Sequence, residues 1–303
     1  MAVQPREDKT ALGVLAMALA VVMFTCIDTS AKWLIGAGIG ALQIVFCRYF
    51  VAFLMSFFAY VPRHGLTAFK SNRPTLQTIR SLFLLGSTVF NFSALQYLPL
   101  TFTTTIMFAA PIVITLLSIP ILGETVGLRR IIAVCVGFIG VIYVIQPWGA
   151  AVHPAIFLSL GALLCASLYF IMTRLLAGVE DTATSQLWAN GIAAASLAPF
   201  VVTNWVMPSD PFVAFILTLI GVFGGAGHML ATRAHRLADA SILAPLVYTQ
   251  IFTISLSSYL VFAKLPSSTT FVGGLIVIAS GLYIWNRERQ KTQNAWVSAP
   301  LVC

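Results

Sequence analysis

Charge is what this sequence has least of. Of 303 residues, 17 are Lys or Arg and 9 are Asp or Glu, so 9 % are charged against 59 % hydrophobic. Soluble domains run near 25 % charged. So few charges cannot solvate the surface of a compact domain this size, which excludes an ordinary water-soluble enzyme. Disorder is excluded as well, because it needs low hydrophobicity and high charge. Metal-ligand spacing is missing: there is no CxxC, and the four histidines (His64, His153, His228, His235) are scattered. No GxSxG, no HExxH and no GxxxxGK followed by Ser or Thr occurs. These absences remove the usual hydrolase and metalloprotease signatures and an ATP-binding P-loop within this chain. No cofactor is expected.

What is present is a series of long apolar blocks separated by short polar breaks. Ten can be drawn, at about 11–35, 40–61, 76–98, 101–123, 128–146, 155–177, 183–205, 212–234, 239–262 and 267–286. Each is near the ~20 residues a helix needs to cross a bilayer. They are rich in Leu, Phe, Ala and Gly and lack the alternation of barrel strands. The expected fold class is therefore an all-α integral membrane protein. Cys26, Cys47, Cys135 and Cys165 lie inside blocks and Cys303 at the terminus, so they read as small packing residues rather than disulfides or ligands. Ala16, Ala18 and Ala20 imitate a signal-peptidase site, but the apolar run continues to about Trp33. The first block reads as an uncleaved helix.

A net charge of +8 invites a nucleic-acid reading, but 14 of the 17 basic residues lie in or beside the breaks on one side, the exceptions being Lys32, Arg48 and Lys264. With ten spans, the N-terminus, the even-numbered breaks and the C-terminus share one side. That side carries Arg6, Lys9, Arg63, Lys70, Arg73, Arg80, Arg129, Arg130, Arg174, Arg233, Arg236, Arg287, Arg289 and Lys291. The other breaks are almost bare. The positive-inside rule places both termini in the cytoplasm, with the lipid bilayer as partner and nucleic acid excluded.

The halves superimpose with an offset of about 140. Ala31-Lys32-Trp33-Leu34 faces Thr173-Arg174-Leu175-Leu176, Tyr97-Leu98-Pro99 faces Arg236-Leu237-Ala238, and Gly140-Val141 faces Gly281-Leu282. Five spans per repeat is an odd number, so the second half inserts upside down, a recurring plan of secondary transporters. The expected organisation is a short N-terminus (1–10), a first repeat (11–146), a second repeat (155–286) and a C-terminal tail (287–303).

Local wording then points to a family. Cys47-Arg48-Tyr49-Phe50, Ala94-Leu95-Gln96-Tyr97-Leu98-Pro99 with Thr103 to Thr105, Gly123-Glu124, and Gly137-Phe138-Ile139-Gly140-Val141 resemble motifs of the drug/metabolite transporter superfamily, EamA type. Ala263-Lys264 departs from the pattern, standing where many members carry Gly-Glu. The chain looks most similar to that family's bacterial aromatic amino-acid exporters. The resemblance implies a multi-pass carrier of the bacterial inner membrane, working by alternating access through a cavity lined by helices one to four and six to nine. It also implies export of aromatic and other neutral amino acids. Two readings stay beside it: a carrier of other small metabolites or lipophilic cations, and a non-transporting scaffold or receptor. A scaffold has no need of polar residues at mid-membrane in both halves.

Candidate site residues follow from polarity at depth. Asp28 and Arg48 lie at similar depth on adjacent antiparallel helices, which suggests an ion pair with either a structural or a substrate-binding role. Lys32, one turn above Asp28, shares that pair or serves a substrate carboxylate. Asn91, Thr104, His228 and Gln250 are candidates for hydrogen bonds to a substrate, and Met107, Phe108, Tyr169 and Tyr248 for an apolar wall. His228 follows Gly221, Gly224, Gly225 and Gly227, whose density reads as close helix packing. Glu124 beside Arg129 and Arg130 reads as an interfacial charge cluster. Pro111 and Pro245 are hinge candidates, since proline removes a helix hydrogen bond.

Overall fold

The computed structural model describes residues 9–123, 127–146, 153–176, 178–238 and 240–297. Among them the chain is helical, with no strand. The helices are α1 (Thr10–Gly36), α2 (Ala41–His64), α3 (Pro74–Leu95), α4 (Leu100–Met107), α5 (Ala110–Leu122) and α6 (Leu128–Ile145). They continue as α7 (Ile156–Leu176), α8 (Thr182–Thr203), α9 (Pro211–Leu237), α10 (Ala240–Val247), α11 (Gln250–Phe262) and α12 (Ser268–Val297). A 3-10 turn, Gly65–Phe69, follows α2. By length and composition, 8 segments are apolar enough to cross a membrane. The two blocks that fall short of that measure are α6, whose apolar stretch is Ile131–Ile145, and α8, which opens on Thr182, Thr184, Ser185 and Gln186. The last helix runs to Val297, well past the expected end near 286.

The fourth and ninth blocks are each two helices rather than one. Leu100–Met107 and Ala110–Leu122 are separated at Phe108 and Ala109; Ala240–Val247 and Gln250–Phe262 are separated at Tyr248 and Thr249. Every boundary in the second set lies 140 residues after its counterpart in the first. The agreement extends to the helix ends. Gly123 closes α5 at φ +67° and Ala263 closes α11 at φ +53°, both left-handed. A helix commonly ends on such a residue, usually glycine, because a Cβ is costly there.

Packing has the same regularity. The most extensive interfaces are α1 with α9, α3 with α7, and α6 with α12, followed by α2 with α8 and α9. Exchanging the halves turns the α1–α9 contact into α7–α3 and maps α6–α12 and α2–α8 onto themselves. Close approach depends on small residues. A Cβ on Gly273 would sit 2.8 Å from the carbonyl oxygen of Gly140, and one on Gly140 would sit 3.0 Å from that of Gly273. Nearby, Ser280 Oγ donates to the Ala133 carbonyl at 2.6 Å. One apolar core joins α1, α2, α3, α8 and α9 around Leu34, Ile44, Tyr49, Phe92 and Ile220. A second joins α4 to α7, α11 and α12 around Ile106, Phe108, Ile112, Leu163, Ile251 and Val277.

The bundle has two chemically distinct ends. At one, the 65–73 segment meets the 178–181 turn: Asn72 Nδ2 donates to Val179 O at 2.8 Å, and Glu180 Oε1 accepts from Ser71 Oγ at 2.6 Å and Arg73 N at 2.8 Å. At the other, Gln43 clasps the backbone of Val206 with bonds of 2.8 and 3.0 Å, and Tyr97 stacks on His153. Lys70, Arg73, Arg174, Arg233 and Arg236 belong to the first end.

The left-handed cap at Ala263 carries a testable consequence. Ala263→Gly should raise the melting temperature in detergent, and Gly123→Ala should lower it, each by the equivalent of about 1–2 kcal/mol. Equal melting temperatures for Ala263→Gly and the parent would contradict the cap geometry.

Candidate functional site

The polar side chains of α1 form a stripe. Thr25, Asp28, Thr29 and Lys32 are spaced i, i+3, i+4 and i+7, which puts them on one helical face. Thr25 and Thr253 of α11 share a hydroxyl hydrogen bond of 2.7 Å, and the Thr29 and Ser257 hydroxyls are bonded one turn on. Lys32 does not share in an ion pair with Asp28. Its ammonium donates to the carbonyls of Leu95 and, at 3.0 Å, Leu98. These lie at the C-terminal end of α3, where unpaired carbonyls and the helix dipole favour a cation.

Asp28 and Arg48 both reach α3 but do not meet. The Asp28 carboxylate accepts from Asn91 Nδ2 at 3.4 Å. Arg48 Nη1 donates to Thr88 Oγ1 at 3.2 Å, and its guanidinium lies 4.5 Å over the ring of Tyr49. Tyr49 in turn bonds Thr88 at 2.7 Å. The direct ion pair expected from matching depths is therefore absent. Depth along a helix axis places a residue at a level but does not bring two side chains together. Thr88 and Asn91, one turn apart on α3, take the two charges separately. Arg48 is 7 % exposed, and its Nε has no hydrogen-bond partner. Asn91 Oδ1 is likewise buried and unpaired. Unsatisfied polar atoms at this depth are costly.

His228 lies on the α9 face that packs against α1 and α2. Its ring is 5.3 Å from that of Phe24, edge on. The glycines beside it have the packing role expected of them: a Cβ at Gly221 would meet Val51 at 2.4 Å, one at Gly225 the sulfur of Met55 at 2.8 Å, and one at Gly227 the Phe24 ring at 2.9 Å. At Gly224 there is more room, since a Cβ there would lie 3.6 Å from Arg48 Nε.

The residues around the two helix breaks form a separate group. Phe108 and Tyr248 occupy corresponding positions and touch each other, edge to face, at 5.8 Å. Phe108 is 5 % exposed and Met107 packs on the same core. Tyr248 packs there too, its hydroxyl buried without a partner against Gly281. Thr104 is buried and spends its hydroxyl on the Leu100 carbonyl of its own helix at 3.0 Å. Gln250 opens α11 and is half-buried. Pro111 is the second residue of α5, just after the first break, and Pro245 lies in α10 just before the second. Glu124 lies outside the described residues.

Tyr169 joins a network that sequence reasoning missed. Arg80, read as one of the basic residues of a polar break, is 6 % exposed within α3. Its Nη2 donates to the Tyr169 hydroxyl at 3.0 Å, its Nε to Thr173 Oγ1 at 2.7 Å, and its Nη1 to the Ser185 carbonyl at 3.4 Å. The guanidinium also lies 4.7 Å over the Tyr169 ring. One arginine thus ties α3 to α7 and α8. The signal was its position, since Arg80 falls inside an apolar block and not between two.

Comparison with known proteins agrees with this architecture. A model of the EamA-like transporter family matches residues 11–146 and 153–286. An S-adenosylmethionine uptake transporter of Rickettsia prowazekii is 28 % identical over 284 residues, covering 92 % of this chain and 94 % of its own. A riboflavin transporter of Rhizobium johnstonii is 24 % identical over 300 residues, covering 96 % of each. One solved crystal structure superposes with a TM-score of 0.61 at 16 % identity, over 89 % of this chain and 95 % of the other, and so shares the fold.

The Arg80 network makes a stability prediction. A hydrogen bond to a charged group contributes about 1.5–3 kcal/mol, so Arg80→Met should lower the melting temperature in detergent markedly. Arg80→Lys should restore only part, because one ammonium cannot span partners on both sides of a guanidinium. Arg73→Gln, on an exposed side chain, should change it little. Equal melting temperatures for Arg80→Met and Arg73→Gln would remove the network from the account.

Proposed function

This chain belongs to the EamA-like transporter family, and from that premise we propose that it is a secondary carrier of a small polar metabolite larger than a free amino acid. The observation that carries the reading is end-to-end similarity, over nine-tenths of both chains, to a transporter of S-adenosylmethionine, with a riboflavin transporter matched over the same extent. Both compounds join a heteroaromatic ring system to a hydroxylated five-carbon unit. Export of free amino acids, the expectation from local wording, is not what these relatives are named for. A carrier for other small metabolites takes its place.

We further propose that the chain crosses the bacterial plasma membrane ten times as two inverted five-helix repeats. The matched breaks in α4–α5 and α10–α11, 140 residues apart, support this, as does the exchange of α1–α9 with α3–α7. Each break is a joint in an otherwise continuous span, held by i to i+3 backbone bonds such as Ala109 N to Ile106 O at 3.0 Å and Thr249 N to Leu246 O at 3.0 Å. Rocking one half against the other about these joints opens a central path to each side in turn. The basic end of the bundle faces the cytoplasm under the positive-inside rule.

Two experiments test the proposal. Purified protein in liposomes should take up labelled S-adenosylmethionine or riboflavin down its gradient without ATP, saturably and above protein-free liposomes. No flux of either with folded protein would overturn the carrier reading. For topology, single cysteines replacing Asn72 and Ser209 in a cysteine-free background should be labelled from opposite faces of the membrane, Asn72→Cys from the cytoplasm. Labelling of both from one face would overturn the inverted arrangement.

A further inference from the structure

We infer that Asp28 and Arg48 together receive an α-amino-acid head group on the transported metabolite, Arg48 taking its carboxylate and Asp28 its ammonium. The inference rests on the carrier reading above and narrows its substrate class to metabolites such as S-adenosylmethionine, which carry such a head; riboflavin has neither charge.

Four observations converge. First, two opposite charges sit within the span of the bundle and are not spent on each other: among the described residues, no carboxylate lies within ion-pair distance of Arg48. An arginine at membrane depth is costly unless it finds a partner or serves a passing ligand. Second, the unpaired part of the guanidinium has the right shape. Thr88 occupies Nη1, whereas Nε is buried without a partner and Nη2 makes no hydrogen bond among the described residues. Nε and Nη2 form one edge of the fork, and a carboxylate binds such an edge with two parallel bonds.

Third, the acidic side is incompletely used in the same way. The Asp28 carboxylate has one long bond, 3.4 Å from Asn91 Nδ2, and Asn91 Oδ1 is buried and unpaired. A carboxylate and an amide oxygen side by side offer acceptors to an ammonium, which has only donors. Fourth, α3 sets the spacing. Thr88 and Asn91 hold the two charges three residues apart, a rise of about 4.5 Å, and Gly224 of α9 brings no side chain to the Arg48 edge. Opposite charges held one helical turn apart, each with open valence, fit a zwitterion and are over-equipped for a neutral ligand. Each charge of the bound head also neutralises a charge of the protein, so the complex crosses the membrane interior with less desolvation than either part alone.

The test is a competition profile on the full-length protein in liposomes, reading uptake of labelled S-adenosylmethionine. S-adenosylhomocysteine, which keeps the head group, should compete as well as unlabelled substrate. Decarboxylated S-adenosylmethionine and 5′-methylthioadenosine should compete at least ten-fold less well. In Arg48→Gln the ten-fold preference for the carboxylated compound should fall towards one, while Arg48→Lys should keep an intermediate preference. Equal competition by the decarboxylated compound in the parent protein overturns the inference without any variant having to fold. Unchanged discrimination in a folded Arg48→Gln protein does the same. Uptake of riboflavin with indifference to every compound bearing the head group overturns the assignment and leaves the carrier reading standing. Uptake of neither overturns both.

Discussion

A bilayer interior offers an unpaired backbone amide nothing to bond, and the rest of this structure follows from that constraint. It makes every described element a helix, since a helix satisfies its own backbone. It also decides how a span can be interrupted. At both breaks the chain tightens into i to i+3 turns instead of opening, so that Ala109, Ile112, Thr249 and Phe252 all keep backbone partners at 3.0 Å. Proline contributes to both interruptions from different sides. Pro111 follows its break and removes a donor at a helix start, where donors are unpaired in any case. Pro245 precedes its break and weakens the helix ahead of it. The breaks correspond to the residue although the prolines do not, so the joint belongs to the fold more than to the proline.

Helix association in lipid lacks the hydrophobic drive of a soluble core and depends on close fit and interhelical hydrogen bonds. The interfaces here obey that rule. Gly140 against Gly273 brings backbone to backbone, and Ser280 adds a hydrogen bond to Ala133 beside it. Gly221, Gly225 and Gly227 let Val51, Met55 and Phe24 of α2 and α1 pack directly on the backbone of α9. Where side chains must be polar, they mostly spend their hydroxyls on their own helix, as Thr104, Thr105 and Ser167 do. Among the described residues, the groups that depart from this economy are Arg48 Nε, Asn91 Oδ1, Ser159 Oγ and Tyr248 Oη, which are buried without partners. Two of the four belong to the Asp28–Arg48 region.

Much of the fold was legible in the sequence because membrane insertion writes itself as composition and period. Block limits drawn from apolar runs fall close to most helix ends, and the offset of about 140 reappears as equal spacing of breaks and caps. The site was less legible, for a geometric reason. A sequence gives the level of a residue along its helix but not the direction its side chain takes towards a third helix. Similar depth suggests a direct Asp28–Arg48 pair, yet Asn91 and Thr88 of α3 take the two charges separately. Lys32 lies on the same stripe as Asp28, but the open carbonyls at the end of α3 draw it away. Arg80 was hidden because the positive-inside rule absorbs it into a basic break, although its side chain bonds to α7 and α8.

The symmetry of the scaffold and the asymmetry of its charges have different jobs. Asp28, Arg48 and Arg80, the charges that bond within the bundle around α3, all belong to the first half. In the second half, Arg174, Arg233 and Arg236 lie near helix ends, and the imidazole of His228 lies further into α9. A symmetric pair of halves gives two conformations of similar energy, open to opposite sides, which is what alternating access requires. A symmetric pair of charge sets would place two competing sites along the path and repel like groups at the centre. In the proposed cycle, having Asp28 and Arg48 in one half gives a single polar station instead of two.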